Sequence, residues 1–193
     1  MPTPVLHLLA GPNGAGKTTF YERVLAPVTH LPFINADHIA RRRWPGEETE
    51  RAYEAAALAE EERRAAMAER RSFVSETVFS HPSKVDLLAD AGSAGYLRHL
   101  HVLLIPEDLC VARVENRVEL GGHAVPEEKI RQRYRRLWKL VRQGIALVEQ
   151  ATVMDNSRAR QPFRRVARFE NGTLLAPADW PPWTPGDLKA AGT

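Results

Sequence analysis

"GPNGAGKTTF", residues Gly11 to Phe20, decides the fold. Three glycines, a lysine and two threonines follow directly on the apolar run "VLHLLA" (5–10). The spacing G-x-x-x-x-G-K-[ST] is met by Gly11, Gly16, Lys17 and Thr18. A triphosphate must be surrounded closely by backbone N–H groups, which side chains would obstruct; glycine clears the approach and permits unusual backbone angles. A helix that starts at the loop aims its N-terminal amides and the positive end of its dipole at the same phosphates. Lys17 adds a point charge for the β/γ-phosphates, and the Thr18 hydroxyl can coordinate magnesium. The alternative is a glycine-rich strand-to-helix turn with a chance lysine, but here the motif follows a strand and precedes a helix, as phosphate binding requires. Gly11, Asn13, Gly14, Ala15, Gly16, Lys17, Thr18 and Thr19 are thus the expected nucleotide cradle, with ATP and Mg2+ as cofactors and Thr18 as the metal ligand.

Outward from the loop, strands and helices alternate. "PFINAD" reads as a short second strand with a polar tip, "SFVSETV" as a third, "LRHLHVLLI" as a fourth and "ATVMDN" as a fifth. Helices are expected over "PSKVDLLADAGSAGY", over 107–119 and over 127–150. The Ala/Glu/Arg-rich stretch 47–71 places Glu47 with Arg51 and Glu60 with Arg64 at i,i+4 spacing, the pattern of a solvated helix. Asn171-Gly172 within "RRVARFENGTLLA" signals a closing hairpin. Strands alternating with helices give an α/β fold, with a core of about five parallel strands covered on both faces. The expected organisation is one domain over 1–193, with a helical lid near 106–136 and an irregular Pro-rich tail at 177–193. Trp180 and Trp183 of that tail are read as surface packing.

At 193 residues, with 44% hydrophobic and 26% charged residues, the chain can bury a proper core, and disorder is excluded. A net charge of +3 permits anionic partners without demanding nucleic acid. Cys110 is the lone cysteine, which excludes an internal disulfide and fits a reducing compartment. With no secretory leader pattern and no apolar run of membrane-spanning length, the expected location is cytoplasmic, with no membrane partner.

Other P-loop classes lack their marks: no N-K-x-D box of a GTPase, no L-S-G-G-Q of an ABC ATPase ("ELGGH" at 119–123 is a faint echo), and no apolar strand ending in Asp-Glu as in an AAA-type ATPase. A small-substrate kinase of nucleoside-kinase type remains. It needs an acceptor base, a carboxylate to organise the metal, and cations over the transferred group. Asp37, at the tip of strand two, and Glu76, at the end of strand three, lie where ligands bind in parallel sheets. The alternative for Asp37 is a helix N-cap; for Glu76 it is a strand end facing water. Arg113 and Arg117 share one helix face. On the next helix Arg133 borders the stripe Ile130, Tyr134, Leu137, Val141, Ile145, Val148, with Arg136 further round the same flank and Arg131 and Arg135 on the other. His123 reads as a turn residue, His99 and His101 as packing, and the histidines show no metal-ligand spacing.

Together "GPNGAGKTTF", "FINAD", "SFVSETVFS", "LIPEDLCVARVENRVELGGHAVPEEKIRQRYRRL" and "DNS" resemble the zeta-toxin-like P-loop kinases, from Val5 to Ser157. "GGHAVP" and "RQRYRR" typify the short, stand-alone branch. The resemblance implies a fold related to nucleotide and sugar kinases. It also implies phosphorylation of a hydroxyl of UDP-N-acetylglucosamine by ATP, under control of a small antitoxin protein. Carried over by position, Lys17 and Thr18 take the phosphate and magnesium roles, and Asp37 is the base toward the acceptor. Glu76 and Thr77 are acceptor-site residues, Arg117 and Arg133 clamp the transferred phosphate, and Asn156 lies near the adenine. A nucleotide or polynucleotide kinase, and a nucleotide-binding regulatory module without turnover, stay open beside it; nucleic acid is not the expected acceptor, since aromatic and basic residues do not interleave as in single-strand binders.

Overall fold

A computed structural model describes residues 2–119 and 125–192. The first part of the "GGHAVP" turn, with His123, lies outside the described residues. Five strands run parallel: β1 (Val5–Ala10), β2 (Phe33–Ile34), β3 (Phe73–Thr77), β4 (Leu97–Leu104) and β5 (Gln150–Asp155). The hairpin β6 (Arg164–Glu170) and β7 (Thr173–Leu174) extends the sheet antiparallel, in the order β2-β3-β1-β4-β5-β6-β7. Its turn is Asn171-Gly172 with φ of 47° and 77°, the doubly positive pattern that suits the twist of a two-residue hairpin. β1 is the middle one of the five parallel strands, and Leu6, Leu8 and Leu9 are wholly buried. A strand covered on both faces reads as a continuous apolar run, which is why "VLHLLA" does not alternate cleanly.

The helices are α1 (Lys17–Phe20), which runs through a π-helical turn at Tyr21–Leu25 into α2 (Ala26–Thr29), then α3 (Ala36–Arg43), α4 (Ala52–Ala68) and α5 (Ser83–Ser93), followed by α6 (Glu107–Glu119), α7 (Glu127–Leu147) and α8 (Gly186–Lys189). α5 and α7 meet on one sheet face, where Gly144 of α7 approaches Leu88 and Leu100 closely. Phe20 of α1 packs on the opposite face against His101, ring centroids 5.6 Å apart. Successive strand residues alternate faces, so these two contacts place helices on both sides of the sheet.

Every residue of the expected α7 stripe is buried, joined by Trp138. α7 stops short of Gln150 because Val148 is already extended and Gln150 opens β5. The tail departs from the irregular segment expected: α8 forms there, and Leu188 is fully buried. Trp180 and Trp183 pack against the core edge. No helix among the described residues is long and apolar enough to cross a membrane.

Candidate active site

The chain order reverses beside β1: β3 and β2 lie on one side, β4 and β5 on the other. In such sheets the crevice at the carboxyl ends of the strands is where ligands bind, and the 11–18 loop leaves β1 at that crevice. Gly16 precedes α1 with φ 87°, a left-handed conformation, and a Cβ there would stand 2.6 Å from the Asn156 amide nitrogen. At Gly11, φ is 147° and a Cβ would lie 2.4 Å from the Leu103 carbonyl oxygen. That oxygen belongs to a buried strand and cannot move aside. Gly11→Ala should therefore cost about 2–3 kcal/mol, as strained backbone positions do. For a chain of this size that is a drop of roughly 4–12 °C in the thermal melt.

Lys17 is buried and donates to the carbonyls of Gly11 and Pro12, each at 3.0 Å. A buried ammonium needs such partners. Its Nζ also stands 3.7 Å from Glu76 Oε1. Glu76 is the meeting point of the site: its Oε2 accepts from Thr18 Oγ1 and from Asn35 Nδ2, both at 2.9 Å. Parallel register places Glu76 opposite Leu9, which aims it at the loop leaving β1. Neighbouring Thr77 accepts through Oγ1 from the Phe79 amide and so holds the turn after β3.

Asp37 lies in the first turn of α3, but it does not cap the helix. Asn35 does, its side chain accepting from the His38 amide at 3.0 Å while its amide group holds Glu76. Asp37 is exposed, three residues beyond β2, with its carboxylate uncommitted to the cap. Electrostatics tie it to the rest. Burial pushes the Lys17 ammonium below the ordinary lysine value; Glu76 and then Asp37 oppose that, and Arg117 adds to it. Burial likewise lowers Arg133, Arg136 adding to the effect and Asp37 opposing it. The fields of Glu76, Asp37 and Arg117 thus reach Lys17, and that of Asp37 also reaches Arg133. Arg131 and Arg135 do not join them; both pair with Glu107, and Arg131 also with Asp108 and Glu127, as flank residues between α6 and α7.

Two residues matter more than the sequence pattern indicates. Arg113 donates to the carbonyls of Gly14, at 3.2 Å, and Asn156, at 2.9 Å. Asn156 donates through Nδ2 to Ala15 O at 2.8 Å and accepts from the Phe163 amide. Together they fasten the glycine loop to the segment after β5. Arg63 is the second surprise. It lies on the helix expected to be solvated, yet it is buried and donates to Glu60 at 2.6 Å. With Lys84, Ser75, Glu76 and Thr77 it lines a cleft of about 210 Å3 that opens beside the acid. Burial, with Arg63 nearby, pushes the Lys84 ammonium down. Cys110 is no nucleophile: burial pushes its thiol up to about 12, and its Sγ faces the Pro106 carbonyl.

Residues 6–140 match the AAA_33 family model, described as an AAA domain. Among solved structures, the chain is similar to the AvrRxo1-ORF1:AvrRxo1-ORF2 complex with sulphate ions, at TM-score 0.67 and 15% identity, covering 89% of this chain and 60% of that one. The same complex has also been solved with ATP. The PezAT toxin–antitoxin system of Streptococcus pneumoniae matches at TM-score 0.63 and 16% identity, over 86% of this chain and 72% of that one. A protein of Chloroflexus aurantiacus described as a kinase matches at TM-score 0.55 and 19% identity, over 70% and 79%. At these identities the likeness is one of fold, and the fold is that of the P-loop kinases. No curated protein matches the chain.

Proposed function

The chain belongs to the AAA_33 family of AAA domains, and on that footing we propose that it is an ATP-dependent phosphotransferase acting on a hydroxyl of a small acceptor. No strand among the described residues ends in an Asp-Glu pair; a single acid, Glu76 of β3, stands beside the Thr18 hydroxyl instead.

The observation that carries the proposal is the meeting of Lys17, Thr18 and Asn35 on Glu76 beside the glycine loop, at the carboxyl edge of the parallel strands. Lys17, released from its carbonyl partners, would engage the β/γ-phosphates. Thr18 and Glu76 offer adjacent oxygen donors, the set that suits Mg2+. When bound, that ion neutralises charge on the β- and γ-phosphates. Asp37 would take the acceptor proton as a bond forms between acceptor oxygen and γ-phosphorus and the bond to the β–γ bridging oxygen breaks, releasing ADP. Arg133, within the field of Asp37, and Arg117, within that of Lys17, would flank the group in transit. Arg113 and Asn156 would hold the glycine loop, with Asn156 on the adenine side.

The cleft beside Glu76 supports a polar acceptor, because Arg63 and Lys84 line it together with Glu60 and Glu76. A UDP-activated amino sugar such as UDP-N-acetylglucosamine is the first choice. A small antitoxin partner goes with that choice, carried by the motif resemblance alone, and a cytoplasmic location rests on the sequence pattern. A nucleotide acceptor in the same cleft is the second reading. We assign the whole of 1–193 to one catalytic domain with its lid near 106–136. Incubation with ATP, magnesium and a panel of UDP-sugars, nucleotides and oligonucleotides, read by mass spectrometry, tests the acceptor. A phosphorylated UDP-sugar supports the first choice, and a phosphorylated nucleotide or oligonucleotide replaces it with the second.

Arg117→Ala and Arg133→Ala should each lower kcat on the order of a hundredfold while changing ATP affinity only a few-fold. Cations that engage the phosphoryl group mainly in the transition state act on rate rather than on ground-state binding. Normal rates in both variants would return these arginines to the solvated helix face.

A further inference from the structure

The three histidines passed over in the sequence come together on one sheet face. Parallel register sets His7 of β1 directly against His99 of β4, with His101 two residues further along the same strand. All three side chains therefore project from the same face, and each is half-buried. Each ring offers one nitrogen that lies within 4.8 Å of those of the other two. His7 Nδ1 and His101 Nε2 are 3.0 Å apart. No ligand spacing marks this in the sequence, because the register of two strands creates the cluster.

We propose that His7, His99 and His101 form a binding site for one divalent transition-metal ion of the zinc class, apart from the phosphate cradle. Zinc binds imidazole nitrogen at about 2.0–2.1 Å, so two nitrogens on a tetrahedral ion stand about 3.3–3.4 Å apart. The His7–His101 pair needs to open by only a few tenths of an ångström to reach that spacing. His99 closes the remaining gap by side-chain rotation within its staggered wells. Three protein nitrogens with a fourth position left for water is the open type of zinc site.

The protonation states agree. Burial, aided by His99, pushes His7 down to about 4, and burial with His7 and His99 pushes His101 down to about 3. Burial lowers His99 too. At neutral pH the rings are neutral, the form that ligates metal. The donor set is all imidazole, with no carboxylate, which selects zinc, copper or nickel over magnesium. The site thus differs in chemistry from the oxygen donors Thr18 and Glu76. It would fasten β1, which leads into the glycine loop, to β4, and His101 would meet the ion while its ring packs on Phe20 at the end of α1.

Untagged protein, stripped with a chelator and titrated with Zn2+ at neutral pH, tests this by calorimetry and thermal melting. One ion should bind per chain and raise the melting temperature. His7→Gln, His99→Gln and His101→Gln should each weaken binding by at least about a hundredfold, beyond the 10–100-fold that loss of a supporting group costs. No saturable binding, or undiminished binding in His101→Gln, overturns the proposal. Cu2+ electron paramagnetic resonance on the unsubstituted protein needs no variant to fold: hyperfine splitting from three nitrogens supports the site, and oxygen-dominated coordination refutes it.

Discussion

Lys17→Ala is expected to lose phosphoryl transfer by at least on the order of a thousandfold, the scale seen when a charge aimed at a transferred phosphoryl group is removed. The group is a buried ammonium held by the Gly11 and Pro12 carbonyls and facing Glu76 at 3.7 Å. Two carbonyls and a carboxylate keep the cation at the loop, where phosphate oxygens would replace them. In the alanine variant the glycine loop keeps its backbone N–H groups, so some nucleotide binding survives, but nothing replaces the charge that follows the γ-phosphate into the transition state. The fold should persist, because Glu76 retains its bonds from Thr18 and Asn35. Rapid-quench assays beside circular dichroism separate the two effects. Retained transfer in a folded Lys17→Ala protein would remove the phosphotransferase reading.

Asp37→Asn is expected to drop acceptor phosphorylation on the order of a hundredfold or more, the contribution of a positioned general base. An acceptor hydroxyl is a poor nucleophile, and a carboxylate within hydrogen-bond reach both orients it and takes its proton. The substitution is nearly isosteric and removes only charge and basicity. The α3 cap bond belongs to Asn35, so no cap is lost. The melting temperature and ATP affinity should stay close to those of the unsubstituted protein while the rate falls. A variant that phosphorylates normally would move the base elsewhere, with Glu76 next in line.

What was legible in the sequence is what lies contiguous in the chain. The glycine loop spells out its own conformation, and the place of Glu76 at the end of β3 follows from the parallel-sheet rule once the strands are read, whereas Asp37 lies in the first turn of α3 rather than at a strand tip. The hairpin announced itself through Asn171-Gly172. Residues that act across distance were hidden. Arg113 reaches a carbonyl 99 positions earlier, and helix periodicity alone gave no reason to prefer it over Arg117. Asn35 was overshadowed by Asp37 two positions later, although only the first of them caps α3. Arg63 sits in the charged run Glu60-Glu61-Glu62-Arg63-Arg64, which resembles a solvated face; its burial depends on how α4 packs over the sheet edge. His7 and His101, 94 positions apart, become neighbours only through the β1–β4 register. The same limit explains the tail, where Leu188 finds the core although its prolines gave no periodicity to follow.

The most direct test of the central claim follows the γ-phosphate of ATP itself. Labelled ATP is incubated with the protein, magnesium and the acceptor panel, and the label is traced into every product. The account predicts covalent label on an acceptor hydroxyl in step with ADP release, and none with Lys17→Ala. Label that stays in ATP, or that appears only as inorganic phosphate across the whole panel, would contradict it and leave a nucleotide-binding module or a simple hydrolase in its place.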